Sequence, residues 1–247
     1  MVYSPLAPIF GGPVPDSATL TQEKQELINS GIELLRAAGS DFHRRGWSLA
    51  TSSNYSIVVS ENPLRLLMTA SGKDKGALNE NDFVLVDENA KVVSAAKVAS
   101  EDKAASEGKA ANDDKTLRPS AEAALHVMLA KEFAAGSILH THSVWSTVLS
   151  EKYAAKGALE IGGLEMLKAL NGIKTHETSV SIPIFANDQD IDALAQVARN
   201  HKPPLRHAFL VRGHGLYTWG INFEEAKRQI EAIEFLLEVI GRQGGLA

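Results

Sequence analysis

Two histidines separated by one residue, His140 and His142, follow the apolar residues Ile138 and Leu139. In an extended segment, side chains at positions i and i+2 leave the backbone on the same face. Both imidazoles therefore point into one space, which a single metal ion could fill. Imidazole nitrogen suits Zn, Fe, Ni and Co, and a catalytic zinc has three protein ligands and one open position.

A candidate third ligand is His214, which comes shortly after the apolar run Phe209–Val211. A His-x-His pattern alone also occurs in histidines that are merely hydrogen bonded on a strand. Here, however, two apolar strands end at histidines, and ligands of open α/β sheets bind at strand ends. We therefore predict a metal site formed by His140, His142 and His214. Ordinary structural roles are predicted for the remaining histidines, which are His43, His126, His176, His201 and His207.

Two loops rich in small and hydroxyl residues, 46–54 and 69–76, flank predicted strands. Exposed backbone N–H groups, hydroxyls and a lysine can together bind a phosphate. An ordinary turn has a similar composition, and neither loop has the spacing of a Walker A or dinucleotide-binding loop. The candidate phosphate ligands are Thr51, Ser52, Ser53, Asn54, Ser71, Gly72 and Lys75.

Two glutamates are candidates for acid/base chemistry. Glu122 lies at the start of a predicted helix, where the positive end of the helix dipole favours a carboxylate. Glu165 follows Gly162 and Gly163, and glycines allow a carboxylate to approach a site closely. A solvated position at a helix start explains either residue equally well.

The elements that position these residues can be read from periodicity and from turn residues. The sequence predicts a first helix at about 20–38, with Thr19 and Gln22 as a capping box and Gly39 as its end. Strands are predicted at 55–60, 64–69, 83–87, 91–99, 180–185, 209–212 and 216–219, and at His140 and His142. Further helices are predicted at 120–133, 143–153, 163–170, 191–200 and 223–240. This mixture predicts an α/β fold with a mixed sheet covered by helices.

The predicted organisation is an irregular leader over 1–19 and a single domain over 20–247, with a polar surface insertion near 100–115. The net charge of −5 and the lack of a basic block argue against a nucleic-acid partner. The chain contains no cysteine, which excludes disulfides, thiolate ligands and a cysteine nucleophile. No signal peptide or membrane span is predicted, so we expect a cytoplasmic protein without a membrane partner.

Five segments, 46–54, 71–76, 118–122, 140–142 and 212–215, occur in an order that resembles the class II aldolase/adducin superfamily. The resemblance extends over about residues 20–240. It implies an α/β/α sandwich with a largely antiparallel mixed sheet, in a homotetramer with sites near subunit interfaces. It also implies one zinc held by the three histidines, although imidazoles accept other divalent transition metals. The loops at 51–54 and 71–75 would bind the phosphate of a phosphorylated ketose.

Segments 164–170 and 214–220 look most like a dehydratase branch of this superfamily that works in methionine salvage. In that branch the glutamate matching Glu165 is the acid/base, whereas in sugar-phosphate aldolases the glutamate matching Glu122 has that role. Both residues are present, and the Glu165 segment favours dehydration. Aldol cleavage, 4-epimerisation and a non-catalytic adducin-like interaction module are the alternatives.

Two features depart from the family pattern. Ser53 stands where the family has glycine before the asparagine, here Asn54. If the backbone has a positive φ there, a serine costs energy that a glycine would not. The polar stretch at 100–115 also looks longer than usual.

Overall fold

A computed structural model describes residues 17–96 and 117–244. The helices of these ranges are α1 (Ser17–Arg44), α2 (Ala123–Glu132), α3 (Val144–Tyr153), α4 (Ile191–Arg199) and α5 (Phe223–Gly244). The strands are β1 (Asn54–Glu61), β2 (Leu64–Thr69), β3 (Phe83–Val86), β4 (Val92–Ala95), β5 (Ser137–Thr141), β6 (Ala158–Gly162), β7 (Ser179–Phe185), β8 (Ala208–Val211) and β9 (Gly215–Gly220). Short 3₁₀ helices cover Lys75–Ala77, Ala154–Lys156 and Glu165–Ala169.

The described strands form one sheet in the order β4-β3-β2-β1-β5-β9-β8-β7-β6. Neighbouring strands are antiparallel at every pairing except β7–β8, which is parallel. The chain returns from β7 to β8 through α4, as parallel neighbours require a crossover. The predicted mixed, largely antiparallel sheet is confirmed.

Helices cover both faces of this sheet. Alternate strand residues point to opposite sides, and both sides carry apolar side chains that pack against helices. Leu139 of β5 belongs to the core that α1, α3 and α5 cover, whereas Ile138 belongs to the core under α2 and α4. The fold is therefore the predicted α/β/α sandwich. His140 follows Ile138 by two residues and lies on the α2–α4 side of the sheet, whereas Thr141 points towards α5.

The first helix does not end at Gly39, as the sequence predicted, but continues to Arg44. A Cβ atom at residue 39 would lie 2.4 Å from the carbonyl oxygen of Lys75. Glycine is thus needed for the close approach of the Lys75 segment to α1 and does not stop the helix. The helix also begins at Ser17, inside the predicted leader, and residues 1–16 lie outside the described ranges.

Three further boundaries differ from the prediction. The predicted helix at 163–170 is the 3₁₀ helix Glu165–Ala169, and the edge strand β6 before it was missed. Helix α2 starts at Ala123, and Ser120 accepts a hydrogen bond from the Glu122 amide in the preceding turn. Strand β4 covers Val92–Ala95, and the predicted insertion at 100–115 lies outside the described residues. In the described part of the chain, the helices are too short or too polar to cross a membrane.

Candidate metal centre and adjoining pocket

Three imidazoles meet at the end of the central strands. His140 is in β5, His142 follows that strand directly, and His214 lies in the turn between β8 and β9. Because β5 and β9 are paired, the turn that precedes β9 lies beside the end of β5. The Nε2 atom of His142 is 2.7 Å from Nε2 of His140 and 3.2 Å from Nε2 of His214. The structure thus brings together the three histidines selected from the sequence.

The surroundings of His140 determine which of its nitrogens can bind a metal. Its Nδ1–H donates a hydrogen bond of 2.9 Å to the carbonyl oxygen of Leu216, so that Nε2 carries the free lone pair. The ring also stacks on Tyr217 at 4.0 Å between centroids. Burial, reinforced by the neighbouring imidazoles, lowers the pKa of His140 well below its usual value and that of His142 to about 3. Both rings are therefore neutral, as metal ligands must be.

Glu122 completes this cluster. One carboxylate oxygen lies 3.2 Å from Nε2 of His214, and the other lies 3.4 Å from Nε2 of His140. Glu122 immediately precedes α2, but its side chain forms no helix-capping hydrogen bond and points to the imidazoles instead. One ligand atom from each of the four residues lies within 4.8 Å of all the others.

This donor set fits a divalent transition metal. Ligand atoms in a tetrahedral zinc site with bonds of about 2.0–2.1 Å are roughly 3.3 Å apart, close to the separations between these nitrogens. Neutral imidazoles with a carboxylate are ordinary ligands for zinc and for its neighbours in the first transition row. His140, His142 and His214 are the residues that would hold the ion, with Glu122 beside it.

A pocket of about 270 Å³ opens onto the cluster. His142, His214 and Glu122 line one side of it. The pocket is also lined by all seven candidate phosphate ligands, which are Thr51, Ser52, Ser53, Asn54, Ser71, Gly72 and Lys75. Asn187 and Gln189, from the connection between β7 and α4, also line the pocket and were not predicted. The sequence signal that could have identified them is their position just after a buried strand.

Two of the pocket residues, Ser53 and Lys75, have an unusual backbone conformation or environment. Ser53 has a φ of +70°, the left-handed conformation that favours glycine. Lys75 is buried, and its ammonium donates a 2.7 Å hydrogen bond to the carbonyl oxygen of Lys73. Burial lowers the pKa of Lys75 to about 8, so the side chain is mainly charged at neutral pH.

Glu165 lies elsewhere on this chain. Its exposed carboxylate pairs with Lys168 at 2.5 Å and with His176 at 3.2 Å. The hydrogen bond from Lys168 lowers the pKa of Glu165. Glu165 is not one of the described residues that line the pocket. Among the described residues of one chain, Glu122 is the carboxylate that does.

His126 was predicted to have an ordinary structural role, yet it belongs to the surroundings of the cluster. It is fully buried, and its Nε2 lies 2.5 Å from the side-chain oxygen of Asn54. Asn54 in turn donates a 2.6 Å hydrogen bond to Glu122. The sequence signal was the four-residue spacing of Glu122 and His126, which places them on the same side of a helix.

Comparison with known proteins identifies relatives that match most of the chain. A protein named methylthioribulose-1-phosphate dehydratase from Xanthomonas campestris pv. campestris (strain 8004) is 40% identical over 227 residues, 91% of each chain. One of the same name from Pectobacterium carotovorum subsp. carotovorum (strain PC1) is 42% identical over 85% of this chain and 93% of its own length.

Solved structures share the fold at lower identity. An L-fuculose-1-phosphate aldolase from Thermus thermophilus is 20% identical with a TM-score of 0.60, over 90% of this chain and 99% of that one. The family model of the class II aldolase and adducin N-terminal domain matches residues 33–240. The chain therefore belongs to the class II aldolase and adducin family.

Proposed function

We propose that this chain dehydrates 5-methylthioribulose 1-phosphate to 2,3-diketo-5-methylthiopentyl 1-phosphate in methionine salvage. The observation that carries the proposal is one pocket lined by His142, His214 and all seven candidate phosphate ligands. A phosphorylated ketose needs both parts, one for its carbonyl end and one for its phosphate. The names of relatives near 40% identity favour this substrate within the family.

His140, His142 and His214 are proposed to hold one zinc ion. When bound, zinc supplies a Lewis acid that stabilises negative charge on the substrate oxygens as an enediolate develops. The fixed tautomer of His140 supports this role, because its Nε2 then offers a lone pair at the point where the Nε2 atoms of His142 and His214 also meet.

The loops at 51–54 and 71–75 are proposed to bind the substrate phosphate. The Lys75 ammonium offers charge, and Thr51 and Ser71, which line the same pocket, offer hydroxyl groups. Charged hydrogen bonds of this kind bind phosphate strongly. Binding there directs the C2 and C3 atoms of the ketose towards the imidazoles.

Glu165 is proposed as the acid/base. It removes the C3 proton and then gives a proton to the leaving C4 hydroxyl, so that water departs and the remaining enol becomes the diketone. Because Glu165 is exposed and away from the pocket of its own chain, we propose that it serves the pocket of a neighbouring copy.

Exposed apolar residues support an assembly of that kind, which we propose to be the homotetramer implied by the family resemblance. Val144 and Val148 are 64% and 47% exposed on one side of α3, just after His142. Met166, next to Glu165, is also exposed. Exposed apolar residues thus lie near the imidazole cluster and near Glu165, the two parts of the proposed shared site. Such residues are suited to contact between copies of the chain.

Aldol cleavage or 4-epimerisation is the second candidate, and one observation favours it. Glu122 contacts the imidazole cluster within the chain, whereas Glu165 does not. A carboxylate at that position can serve as the base in either of these reactions. A non-catalytic adducin-like module has no use for the four-ligand cluster, which argues against that alternative.

The test is to incubate the purified protein with 5-methylthioribulose 1-phosphate, fuculose 1-phosphate and ribulose phosphate. We expect the first substrate alone to react, with loss of one water detected by mass spectrometry. If dihydroxyacetone phosphate forms instead, the reaction is aldol cleavage and the proposed dehydration is wrong. The metal content of protein purified without chelator is a second test. The absence of a stoichiometric divalent ion would favour the non-catalytic interaction module.

A further inference from the structure

A chain of buried hydrogen bonds runs from the interior of the protein to the candidate metal centre. Ser56 Oγ lies 2.7 Å from Nδ1 of His126, whose Nε2 lies 2.5 Å from Oδ1 of Asn54. Nδ2 of Asn54 lies 2.6 Å from Oε2 of Glu122. Ser56 and His126 are fully buried, and Asn54 is 4% exposed. Nothing in the proposed reaction uses His126 directly.

The chemistry of the four groups gives the hydrogen bonds one direction. A carboxylate accepts only, so Asn54 must turn its N–H groups towards Glu122 and its oxygen towards His126. Nε2 of His126 must then carry the proton. Burial lowers the pKa of His126 to about 4, so the ring is neutral and Nδ1 accepts from the Ser56 hydroxyl. All donors thus point towards Glu122.

We propose that His126 is a positioning residue that acts through Asn54 to hold the Glu122 carboxylate against the imidazole cluster. Without the donor at Nε2, Oδ1 of Asn54 loses the hydrogen bond that orients the amide. The N–H group of Asn54 is then no longer held in line with the carboxylate, and Glu122 is free to turn away from His140 and His214. The proposal also restricts how Asn54 can bind a substrate. Its oxygen is bound to His126 and one N–H is bound to Glu122, so its second N–H is the group that remains for a substrate.

Two variants of similar size separate this role from packing. The amide nitrogen of a glutamine reaches about as far from the backbone as Nε2 of histidine, whereas that of an asparagine reaches only as far as Nδ1. His126→Gln therefore restores the donor to Asn54, and His126→Asn does not. Leu125→Ala is the control for stability, since Leu125 is a fully buried neighbour on the same helix.

The variants would be compared by chelator competition for zinc and by kcat and KM on 5-methylthioribulose 1-phosphate, readouts that rest in part on the proposed function. We expect His126→Gln to stay within about threefold of wild type, because the donor to Asn54 is kept. His126→Asn should weaken zinc binding or kcat by about 10–100-fold while KM changes little. A loss that follows thermal stability, and that Leu125→Ala reproduces, would overturn the proposal.

A second measurement is independent of catalysis. Nitrogen-15 NMR of histidine-labelled wild-type protein should show His126 with its proton on Nε2, and the resonance would be assigned by its loss in His126→Gln. A proton on Nδ1 would overturn the proposal whatever the activity. If the wild type fails to dehydrate its substrate but shows the Nε2–H form, and only His126→Asn weakens zinc binding, the proposed function fails while the positioning role stands.

Discussion

Glu234 of α5 accepts a 2.5 Å hydrogen bond from the hydroxyl of Thr141, the residue between His140 and His142. This contact lies on the opposite face of the strand from His140, in the interior of the protein. Glu234 is 2% exposed, and burial raises its pKa to about 7. An acid group therefore lies directly behind the candidate metal centre and is half protonated near neutral pH.

This buried acid makes stability depend on pH. Between pH 4.5 and 7 the folded state keeps the Glu234 proton and the unfolded state releases it, so the contribution of Glu234 falls as pH rises. The loss amounts to about 3 kcal/mol once the pH exceeds the folded-state pKa. Urea unfolding at pH 5 and pH 8 should show Glu234→Gln gaining stability relative to wild type at the higher pH. An equal difference at both values would show that Glu234 does not titrate in this range.

His142→Ala should lose zinc and turnover together. The imidazole is one of three that meet at the centre, and a site left with two nitrogens binds zinc far more weakly. Metal content and dehydration rate would be measured on the same preparation. His201→Ala, at a histidine outside the cluster, is the control and should retain both. Full zinc content in His142→Ala would remove this residue from the ligand set.

Glu165→Gln should keep its zinc and lose turnover, because an amide cannot transfer the C3 proton. If Glu165 serves a neighbouring copy, mixing the inactive Glu165→Gln and His142→Ala proteins should restore activity. In a 1:1 mixture of exchanging subunits, roughly a quarter of the sites combine an intact histidine set with an intact Glu165. A mixture that stays inactive after subunit exchange would place both groups in one chain. Full activity of Glu165→Gln alone would transfer the acid/base role to Glu122.

Lys75→Met should raise KM about 10–100-fold with a smaller effect on kcat, because a charged hydrogen bond to the phosphate is worth about 1.5–3 kcal/mol. The wild-type KM should also rise above pH 8, where Lys75 loses its proton. Lys73→Met is the control, since Lys73 pairs with Asp82 and does not line the pocket. A KM that is unchanged in Lys75→Met would exclude a phosphate contact.

Ser53→Gly should stabilise the fold by up to about 1 kcal/mol, because it removes the penalty for a side chain at positive φ. The gain is reduced by the greater freedom of glycine in the unfolded chain. Ser52→Gly, at the adjacent position, should instead destabilise by about 0.5–1 kcal/mol. Equal effects of the two changes in urea unfolding would mean that the Ser53 conformation carries no strain.

The sequence predicted most of the imidazole cluster because its geometry is local. His140 and His142 share a face through the two-residue period of a strand, and His214 lies at the end of another buried strand. The pocket loops were recognised by composition and family resemblance together. The α/β/α sandwich followed from the same sources, and the structure confirmed it.

What the sequence could not predict depends on contacts between distant segments. Gly39 was interpreted as a helix end because only the folded chain shows the Lys75 carbonyl against it. His126 was assigned a structural role because its partner Asn54 lies 72 residues away. The position of Glu165 relative to the pocket likewise depends on tertiary packing, since its own segment predicts only a short helix.

The parallel pair β7–β8 has a consequence for how substrate range can change. Both strands run in the same direction, so their carboxyl ends lie at the same end of the sheet. The connection after β7 and the turn that carries His214 therefore emerge side by side. Asn187 and Gln189 therefore contact the pocket from a solvent-exposed loop, whereas the histidines are fixed by the pairing of β5 with β9. Insertions or deletions in that loop could reshape the pocket while the three histidines stay in register. The fold thus separates an imidazole cluster fixed by strand pairing from a loop whose length the sheet does not constrain.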